Sequence, residues 1–444
     1  MKPTLGVAII RMVKSIQNII FSFVETSLTH YGGMYIILRF CKKLRINALL
    51  YTRVQYFTRH IDFHPAKLIF IVIYTIIAGI LRLSGNRILS YNGTFQKFLG
   101  LSAFPHPSRI NSFLIHLDMR TLRGIIRLHD YLRNKLFHKP KHRNHITLDI
   151  DSTVLTVYGS QEGSAIGFNP HRKGYPSYHP LLCFEAHSRD FWHGVFRPGN
   201  TVSSSGAAVF LKECFAKIPK DIYRYRVRAD SGFYAKDIIE FLDEQKAGYA
   251  IAVRVYPNFK RMLGGLAYKQ FKKGYQVAEF RYRPLRWNRE YRYIVVRRPI
   301  PEQPSRQLRL FTIGRFSYQI LITNLVIGPE WVWRFYNSRW LAEQDIKELK
   351  ENFTLGNIPT GNWNANDTYF NLLLFAYNIV NWFKRLCLPP QCAKWNMKTL
   401  RTELLVVPAR LVKTHNKYNL KLPKNYVHKH LFPDTMKKID SLKL

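Results

Sequence analysis

The sequence predicts an α/β fold, in which a mixed β-sheet with helices on its faces follows a helical block and is interrupted by a β-rich insertion. Three patterns lead to this prediction. Apolar residues recur at three- and four-residue steps over residues 1–140, as amphipathic helices require. Short runs of β-forming residues alternate with helical segments over residues 145–255. Further β-forming runs occupy residues 256–328, and strong helical patterns return after them.

Residues 1–140 are predicted to be a helical N-terminal domain that ends in the polar, basic stretch 135–144. Its most apolar run, residues 68–81, is about 14 residues long, shorter than the roughly 20 that a membrane-spanning helix needs. We therefore expect a buried core helix there and no membrane association, with a membrane protein as the remote alternative. Arg11 and Lys14 interrupt the apolar N-terminal stretch, which argues against a signal peptide.

Residues 145–255 are predicted to be the first section of the sheet. The order of elements is three strands, a helix, a strand, a helix and a strand, which is the order of an RNase H-like core. The predicted strands are 146–157, 178–187, 191–197, 223–230 and 249–255, and the predicted helices are 206–218 and 235–245.

The rest of the chain divides into three segments. The insertion, residues 256–328, has its β-forming runs at 275–282, 291–297, 308–313 and 318–323. Residues 329–386 are predicted to complete the core, with one helix over 330–352 and another over 367–386. Residues 387–444 are predicted to be a basic C-terminal segment, which contains prolines and is expected to be less regular from residue 388.

The charge of the chain predicts a polyanionic partner. Lysine and arginine total 68 against 28 aspartate and glutamate residues, which gives a formal net charge of +40. Nucleic acid is the commonest partner for such a charge, and an anionic membrane surface is the second candidate. The five cysteines are scattered without a C-x-x-C pair, which suits a reducing cytoplasm and argues against a zinc site.

Three aspartates stand at notable places in the predicted strands. Asp149 and Asp151 are two residues apart in the first strand, so their side chains share one face of it. Asp230 ends a later strand and is followed by a Ser-Gly turn, where a carboxylate can reach a cleft. Burying a carboxylate is costly unless it is paired or binds a metal. The sequence leaves both explanations open, and Arg228 is one candidate for an ion-pair partner.

The predicted helix 330–352 carries a fourth acid in a polar stripe. Tyr336, Arg339, Glu343 and Lys350 fall within an arc of roughly 60° at about 100° per residue. One carboxylate between two cations and a phenol suits a site that holds a metal ion and phosphates. The alternative is a solvated helix face with Glu–Lys pairs.

With these residues the chain resembles the DDE transposases of bacterial insertion sequences. The superfamily signature is Tyr, two residues, Arg, three residues, Glu, six residues, Lys, and the four residues of the stripe match this spacing in full. The chain is most similar to the thirteen-eighty branch, and the likeness covers about residues 60–410. The supporting blocks are 77–89, 98–114, 148–175, 228–242 and 346–353. Trp340 and Leu341 depart from relatives, which often have smaller or acidic residues there.

The resemblance implies a three-acid site. It assigns Asp151 as the first catalytic acid and metal ligand, because Ser152-Thr153 follows it as in the family, and leaves Asp149 as a supporting residue or minor alternative. Asp230 and Glu343 are then the second and third acids. Together they are expected to hold two Mg²⁺ ions, with Mn²⁺ as a substitute. Tyr336, Arg339 and Lys350 are expected to contact DNA.

The function implied by the resemblance is DNA transposition. The protein is expected to bind the terminal inverted repeats of its element, cut them and join them to target DNA. It is expected to act as a homodimer on DNA, in the cytoplasm at the nucleoid. The helical N-terminal domain and the tail beyond residue 388 are the candidates for reading the terminal repeat. Some relatives stack a flipped base on a tryptophan of the insertion; Trp287 lies in that segment, although a core or surface tryptophan is the favoured interpretation.

Two other functions would use the same features. An RNase H-like nuclease without strand transfer would need the same three acids. A basic DNA-binding protein without enzymatic activity would explain the charge, with ion pairs in place of the site.

Overall fold

The computed structural model describes residues 27–56, 62–80, 82–170, 172–254, 257–300, 311–313 and 315–443. Within these ranges the chain forms one ten-stranded mixed sheet and two three-stranded sheets, with helices packed around them. The predicted α/β class with a mixed sheet is therefore confirmed. Arg11, Lys14 and the first three residues of the predicted strand 308–313 lie outside the described residues.

Helices occupy most of the described residues of the predicted N-terminal helical region. Their starts follow ordinary capping rules: Pro65 and Pro107 open two of them, and Asp118 caps a third by accepting a hydrogen bond from the Thr121 N–H. These helices are α1 (Met34–Lys43), α2 (Ile46–Arg53), α3 (Pro65–Ala78), α4 (Gly93–Leu99), α5 (Pro107–Ile115) and α6 (Met119–Phe137).

The later helices flank the large sheet or close the chain. They are α7 (Ala207–Ala216), α8 (Lys236–Glu244), α9 (Pro257–Gly264), α10 (Pro329–Asn337), α11 (Trp340–Asn352), α12 (Trp363–Cys387), α13 (Pro390–Ala393), α14 (Met397–Leu400) and α15 (Leu431–Ser441).

The strands fall into three sheets. In chain order they are β1 (Leu28–Thr29), β2 (His145–Ser152), β3 (Leu155–Thr156), β4 (Ala165–Ile166), β5 (Pro176–Tyr178), β6 (Leu181–Glu185), β7 (Phe191–Val195), β8 (Arg224–Ala229), β9 (Gly248–Val253), β10 (Lys269–Lys272), β11 (Tyr275–Tyr282), β12 (Tyr291–Pro299), β13 (Phe311–Ile313), β14 (Phe316–Thr323), β15 (Ala409–Thr414) and β16 (Lys417–Lys421).

The large sheet has the order β10-β11-β12-β14-β9-β8-β2-β6-β7, and β13 pairs with β14 beside this path. Its centre is parallel, because β8 pairs with β2 on one side and with β9 on the other in the same direction. β6 and β7 extend it antiparallel on one flank. The inward residues Ile146, Leu148 and Ile150 of β2 pack into the same core as residues of α7 and α8, so Asp149 and Asp151 face the opposite side.

The strands predicted for the insertion continue this same sheet. β14 pairs with β9, and β12 and β11 follow it in antiparallel order. Their alternating aromatic and β-branched residues, such as Tyr293 and Val295, are buried against the core of the sheet. Helix α9 and strand β10 are additional elements here that the sequence pattern did not predict.

The predicted strand 146–157 is corrected to two strands in different sheets. β2 ends at Ser152, and the Thr153 N–H then donates to the carbonyl oxygen of Pro180. β3 follows in a small sheet of order β3-β5-β4. Residue 178, the first residue of the predicted strand 178–187, belongs to β5 of the same small sheet. β6 therefore begins only at Leu181.

The predicted helix 330–352 is also corrected, because α10 and α11 are separate helices. At the junction the backbone hydrogen bonds span three residues instead of four. The Arg339 N–H donates to the Tyr336 oxygen, and the Ala342 N–H donates to the Arg339 oxygen. Ser338 and Arg339 keep right-handed helical dihedrals. The junction therefore tightens the helix without reversing the chain.

The C-terminal segment is more regular than expected. β15 and β16 form a hairpin, and β1 pairs with β15 to complete the third sheet. α15 follows and packs against α1 and α12. One apolar core thereby includes residues from Tyr31 to Ile439. The division of the chain into domains stays a prediction.

Helix α3 contains most of the apolar run 68–81, and every residue of α3 except Lys67 is buried. It packs against α12, so the expected core helix is confirmed over its described residues. Among the described residues, no single helix is long and apolar enough to cross a membrane. α3 and the 3-10 helix Leu83–Tyr91 pass that test only as a pair, and the pair is bent by 91°.

Candidate active site

Asp151 and Asp230 meet at one edge of the large sheet. Asp151 is the second-last residue of β2, and Asp230 follows β8 directly. The two strands are parallel neighbours in the register Ile150 to Ala229, so the next residues along each strand are the two aspartates. Both line a cavity of about 320 Å³. Its other walls include Ser152, Thr153, Phe168, His179, Thr201, Ser203, Arg254 and Lys350.

Arg339 connects the third predicted acid to this edge. Its Nη1 donates to Asp151 Oδ2 at 2.8 Å, and its Nη2 donates to Glu343 Oε1 at 2.9 Å. The Arg339 side chain is only 8% exposed, whereas Glu343 is 62% exposed. The guanidinium thus joins β2 to the first turn of α11. It fixes Asp151 firmly and leaves Glu343 as the least constrained of the three acids.

The two aspartates affect each other electrostatically. Burial raises the pKa of Asp230, and the nearby Asp151 carboxylate raises it further. Arg339, the Gly232 N–H and Arg254 act in the opposite direction. Two carboxylates held this close repel each other unless a proton or a cation lies between them. Their oxygens are the hard ligands that Mg²⁺ prefers, so the donor set fits a divalent cation.

The remaining residues of the predicted stripe lie near the acids but in different environments. Lys350 lines the cavity; burial lowers the pKa of its amine, and Asp151 opposes that shift. Tyr336 is buried, with 7% of its surface exposed. Burial raises the pKa of the Tyr336 phenol, and Arg339 beside it opposes that shift. Tyr336 therefore lies beside Arg339 and away from solvent.

Asp149 does not join the cavity. Arg228 Nε and Nη2 donate to its two oxygens at 2.6 and 2.7 Å, and Arg228 Nη1 donates to the Phe335 carbonyl oxygen at 2.7 Å. The side chains of Asp149 and Arg228 are 1% and 4% exposed. The ion pair that the sequence offered as an alternative explanation is therefore found at Asp149. Through Arg228, this ion pair connects β2 and β8 to α10.

Among the residues of the cavity that the sequence did not predict are two titratable ones, His179 and Arg254. His179 is buried, and its Nδ1 lies 2.7 Å from the Thr201 carbonyl oxygen, so Nδ1–H donates and Nε2 keeps the lone pair. No spacing pattern in the sequence marks it. Arg254 follows β9, which is the parallel neighbour of β8. The argument that located Asp230 at a strand end also applies to Arg254 and could have found it.

Trp287 lies outside this cavity. It stacks on Tyr234 with the ring centroids 5.3 Å apart, and it meets Tyr291 edge-on. It is partly buried against the core of the sheet. All five cysteines are free and buried.

A second cluster of potential metal ligands lies where α6 leads into β2. Ligand atoms of His138, His142 and Asp221 lie within 4.8 Å of one another. The Arg143 N–H points to His138 Nδ1 at 3.4 Å, which places the ring proton on Nε2, 3.0 Å from Asp221. In this arrangement His138 Nε2–H donates to Asp221, so the described contact within the cluster is a His–Asp hydrogen bond.

Comparison with known proteins identifies one family through a family model. A family model described as "Transposase DDE domain group 1" matches residues 12–444. No curated protein matches the chain. A piggyBac transposase synaptic complex with hairpin DNA is 13% identical, with a TM-score of 0.47 over 85% of this chain and 79% of that chain. A Mos1 transposase paired-end complex is 10% identical, with a TM-score of 0.18 over 44% of this chain and 60% of that chain. Both TM-scores are too low to establish a shared fold.

Proposed function

Because the family match spans residues 12–444, the chain belongs to the DDE-domain transposases of group 1 and is a DNA transposase, and we propose that Asp151, Asp230 and Glu343 form its active site. The observation that carries the proposal is the meeting of Asp151 and Asp230 at one sheet edge, with Arg339 linking Glu343 to Asp151. The family implies dependence on a divalent metal. The specific ions, two Mg²⁺ with Mn²⁺ as a substitute, belong to the proposal.

The finer classification is proposed as well. The antiparallel β7-β6-β2 flank beside parallel β2, β8 and β9 supports an RNase H-like core. The complete spacing of Tyr336, Arg339, Glu343 and Lys350 supports an insertion-sequence transposase of the thirteen-eighty branch. The helices before residue 140 are proposed to contribute DNA-binding surfaces.

The residues of the proposed site have separable roles in phosphoryl transfer. When bound, divalent ions would activate water and stabilise the charge that develops on the phosphate. Asp151, Asp230 and Glu343 would hold them through carboxylate oxygens. Lys350 and Arg254 place positive charge on the cavity wall, where a phosphate of the strand can sit. Arg339 keeps Asp151 oriented, and buried Tyr336 supports Arg339 from the side away from solvent.

The reaction proceeds in two steps that need no external energy source. A water oxygen attacks the phosphorus at the element end, and the bond to the 3′ oxygen breaks, which leaves a 3′-OH. That hydroxyl then attacks a phosphorus of target DNA in a transesterification. Since two ends must be paired, we propose a homodimer on the terminal inverted repeats, acting in the cytoplasm at the nucleoid and without a membrane.

The test is a cleavage assay on labelled element-end DNA. We expect Asp151→Ala, Asp230→Ala and Glu343→Ala each to reduce nicking and joining by about a thousandfold or more, because metal ions contribute several kcal/mol to such barriers. Gel shifts with the same fragment should stay near wild type in Ca²⁺. Glu351→Ala is the matched control, since Glu351 is an exposed acid on the same helix.

Cleavage near the wild-type rate by the Asp230 or Glu343 variant would exclude the three-acid site. Loss of activity in Asp149→Ala together with retention in Asp151→Ala would preserve the site but change its first ligand. A joining assay with a pre-cut 3′-OH end measures strand transfer separately from nicking.

A further inference from the structure

The hairpin of β15 and β16 has one face that points away from the apolar core. Residues paired across the two strands share a face, in a register that runs from Arg410 with Lys421 to Thr414 with Lys417. Leu420 lies on the opposite face and packs against the apolar core. We call the other face the outward face. Its members are Arg410, Val412, Thr414, Lys417, Asn419 and Lys421.

The outward face carries positive charge that no acidic group compensates. Every side chain of this face is exposed except the half-buried Val412. In the described part of the chain, its three cations have no ion-pair partner, and the side chains of Thr414 and Asn419 form no hydrogen bond. Residues 404–433 contain six lysine and arginine residues and no acidic residue. The face therefore offers free hydrogen-bonding groups and a local positive potential to a partner.

Protection of a sheet edge explains only part of this charge. β16 is an edge strand, and lysines on edge strands prevent pairing with other exposed strands. β15, however, lies between β1 and β16, so Arg410 is on a central strand that needs no such protection. Because both strands contribute cations to one face, the charge suits a polyanion that lies along the hairpin.

The shape of the hairpin fits the major groove of duplex DNA. β1 pairs only with residues 409 and 410, so the hairpin beyond them is a two-stranded ribbon. Two residues, His415 and Asn416, connect its strands, which keeps the tip narrow. β16 has five residues and is therefore about 17 Å long. The major groove of B-DNA, about 12 Å wide, admits a two-stranded ribbon of this kind.

We propose that the outward face of the β15–β16 hairpin enters the major groove of the element-end duplex and reads part of its base sequence. This inference rests on the proposed function, because a transposase must distinguish its element ends from other DNA. Arginine and asparagine pair with guanine and adenine in that groove, so Arg410 and Asn419 read bases. Lys417 and Lys421 contact the backbone. Among the described residues that line the active-site cavity, none belongs to this hairpin, so recognition and cleavage use separate surfaces.

The experiment compares the binding of full-length protein to element-end duplex and to unrelated duplex of the same length. Fluorescence anisotropy in Ca²⁺ gives the two Kd values, and their ratio is the end preference. Asn419→Ala keeps every cation, and we expect it to lower the end preference about five- to 150-fold, the range for loss of one base contact. The triple variant Arg410→Ala, Lys417→Ala, Lys421→Ala should lower it at least as much and also weaken binding to unrelated duplex. Because these side chains are exposed, the melting temperatures should stay at the wild-type value.

The β10–β11 hairpin provides the matched control. Lys269, Lys272 and Lys273 are exposed there, and replacing all three by alanine removes the same charge. This control should weaken binding to both duplexes alike and keep the end preference.

Three outcomes overturn the proposal. The first is an unchanged end preference in Asn419→Ala and in the triple variant of the β15–β16 hairpin, even if the three acids prove essential for cleavage. The second is an equal loss of end preference in the two triple variants, which would assign the effect to net charge. The third is self-association of the β15–β16 variant with unchanged DNA binding, which would assign the cations to edge protection. Wild-type protein without any end preference would overturn the inference together with the proposed function.

Discussion

Arg339 holds two of the three proposed catalytic acids with one guanidinium. Burial lowers its pKa, but nearby anionic groups, Asp151 first among them, outweigh that effect and its pKa is raised. The residue is therefore a permanent cation at the centre of a cluster of acids. Arg228 pairs in the same way with Asp149, where both side chains are enclosed. Asp149 and Asp151 lie on the same face of β2, but they have different arginine partners. Asp149 pairs with Arg228 and has a structural role, whereas Asp151 pairs with Arg339 in the proposed catalytic site.

This separation predicts opposite effects of removing Asp149 and Asp151. Asp149→Ala leaves the Arg228 charge buried without its partner, so we expect a loss of about 3–5 kcal/mol in the free energy of unfolding. Asp151→Ala should cost far less stability but abolish cleavage. Urea unfolding of both variants, beside the cleavage assay, checks the prediction. A stable, inactive Asp149→Ala protein would contradict it.

Asp230 predicts a pH-dependent stability in the metal-free protein. Its folded pKa is raised above the ordinary 3.8, so the folded state binds this proton more tightly than the unfolded state. Deprotonation then costs stability as the pH rises through the folded pKa. We expect Asp230→Asn to melt at a higher temperature than wild type at pH 7 without metal. The difference should shrink as the pH falls through the folded pKa and vanish below the unfolded value.

Divalent metal should reverse this order, because it stabilises only the protein with all three acids. The control is Glu351→Gln, an exposed acid on α11. Equal melting temperatures for Asp230→Asn and wild type at pH 7 without metal would show that the buried charge of Asp230, next to Asp151, costs the folded state no stability.

At the scale of elements, α11 has two faces in different environments. Lys350 lines the cavity with Asp151, whereas Lys347 is 70% exposed and lies 3.8 Å from Glu351 one turn later. Within α11, Lys350 therefore lies on the cavity side and Lys347 on a solvated side, whereas Tyr336 of the predicted stripe belongs to α10.

These two lysines provide a matched pair for testing the cavity-facing side. We expect Lys350→Ala to slow cleavage about ten- to hundredfold, since it removes one charge-assisted phosphate contact worth about 1.5–3 kcal/mol. Lys347→Ala should stay within about twofold, as exposed ion pairs contribute little. Arg339→Ala should slow cleavage at least as much as Lys350→Ala. General DNA affinity, measured by gel shift, should change little in all three. Equal cleavage rates for the two lysine variants would assign Lys350 to a solvated face.

Local patterns predicted the elements that are regular and missed the junctions. β2 and the end of β8 follow from residue alternation, and the register of these two strands brings the carboxylates at 151 and 230 to one sheet edge. The break between α10 and α11 is invisible in the sequence, because Ser338 and Arg339 keep helical dihedrals and only the hydrogen-bond step changes. His179 was missed because its orientation depends on a carbonyl oxygen 22 residues away.

At the scale of the whole molecule, distant segments of the chain are joined by packing. β1 pairs with β15, and the core that contains α1 and α3 also contains α12 and α15. Sequence periodicity could predict that α3 is buried, but not that it packs against α12, which follows the whole large sheet in the chain. The acids, the helices before residue 140 and the C-terminal segment therefore belong to a connected framework.

The net charge of +40 predicts a steep salt dependence that belongs to the whole surface rather than to the cavity. Each phosphate neutralised by lysine or arginine releases condensed counterions. The logarithm of the affinity for duplex DNA therefore falls linearly with the logarithm of the salt concentration. A protein with about 6–10 phosphate contacts loses roughly 10³–10⁵ in affinity between 50 and 200 mM salt. We expect this protein to fall in that range on unrelated duplex DNA, measured by fluorescence anisotropy. Lys350→Ala should reduce the slope of this salt dependence by no more than the contribution of about one phosphate contact, because Lys350 is one of 68 lysine and arginine residues. A flat salt response would show that the charge serves another partner, whatever the three acids do.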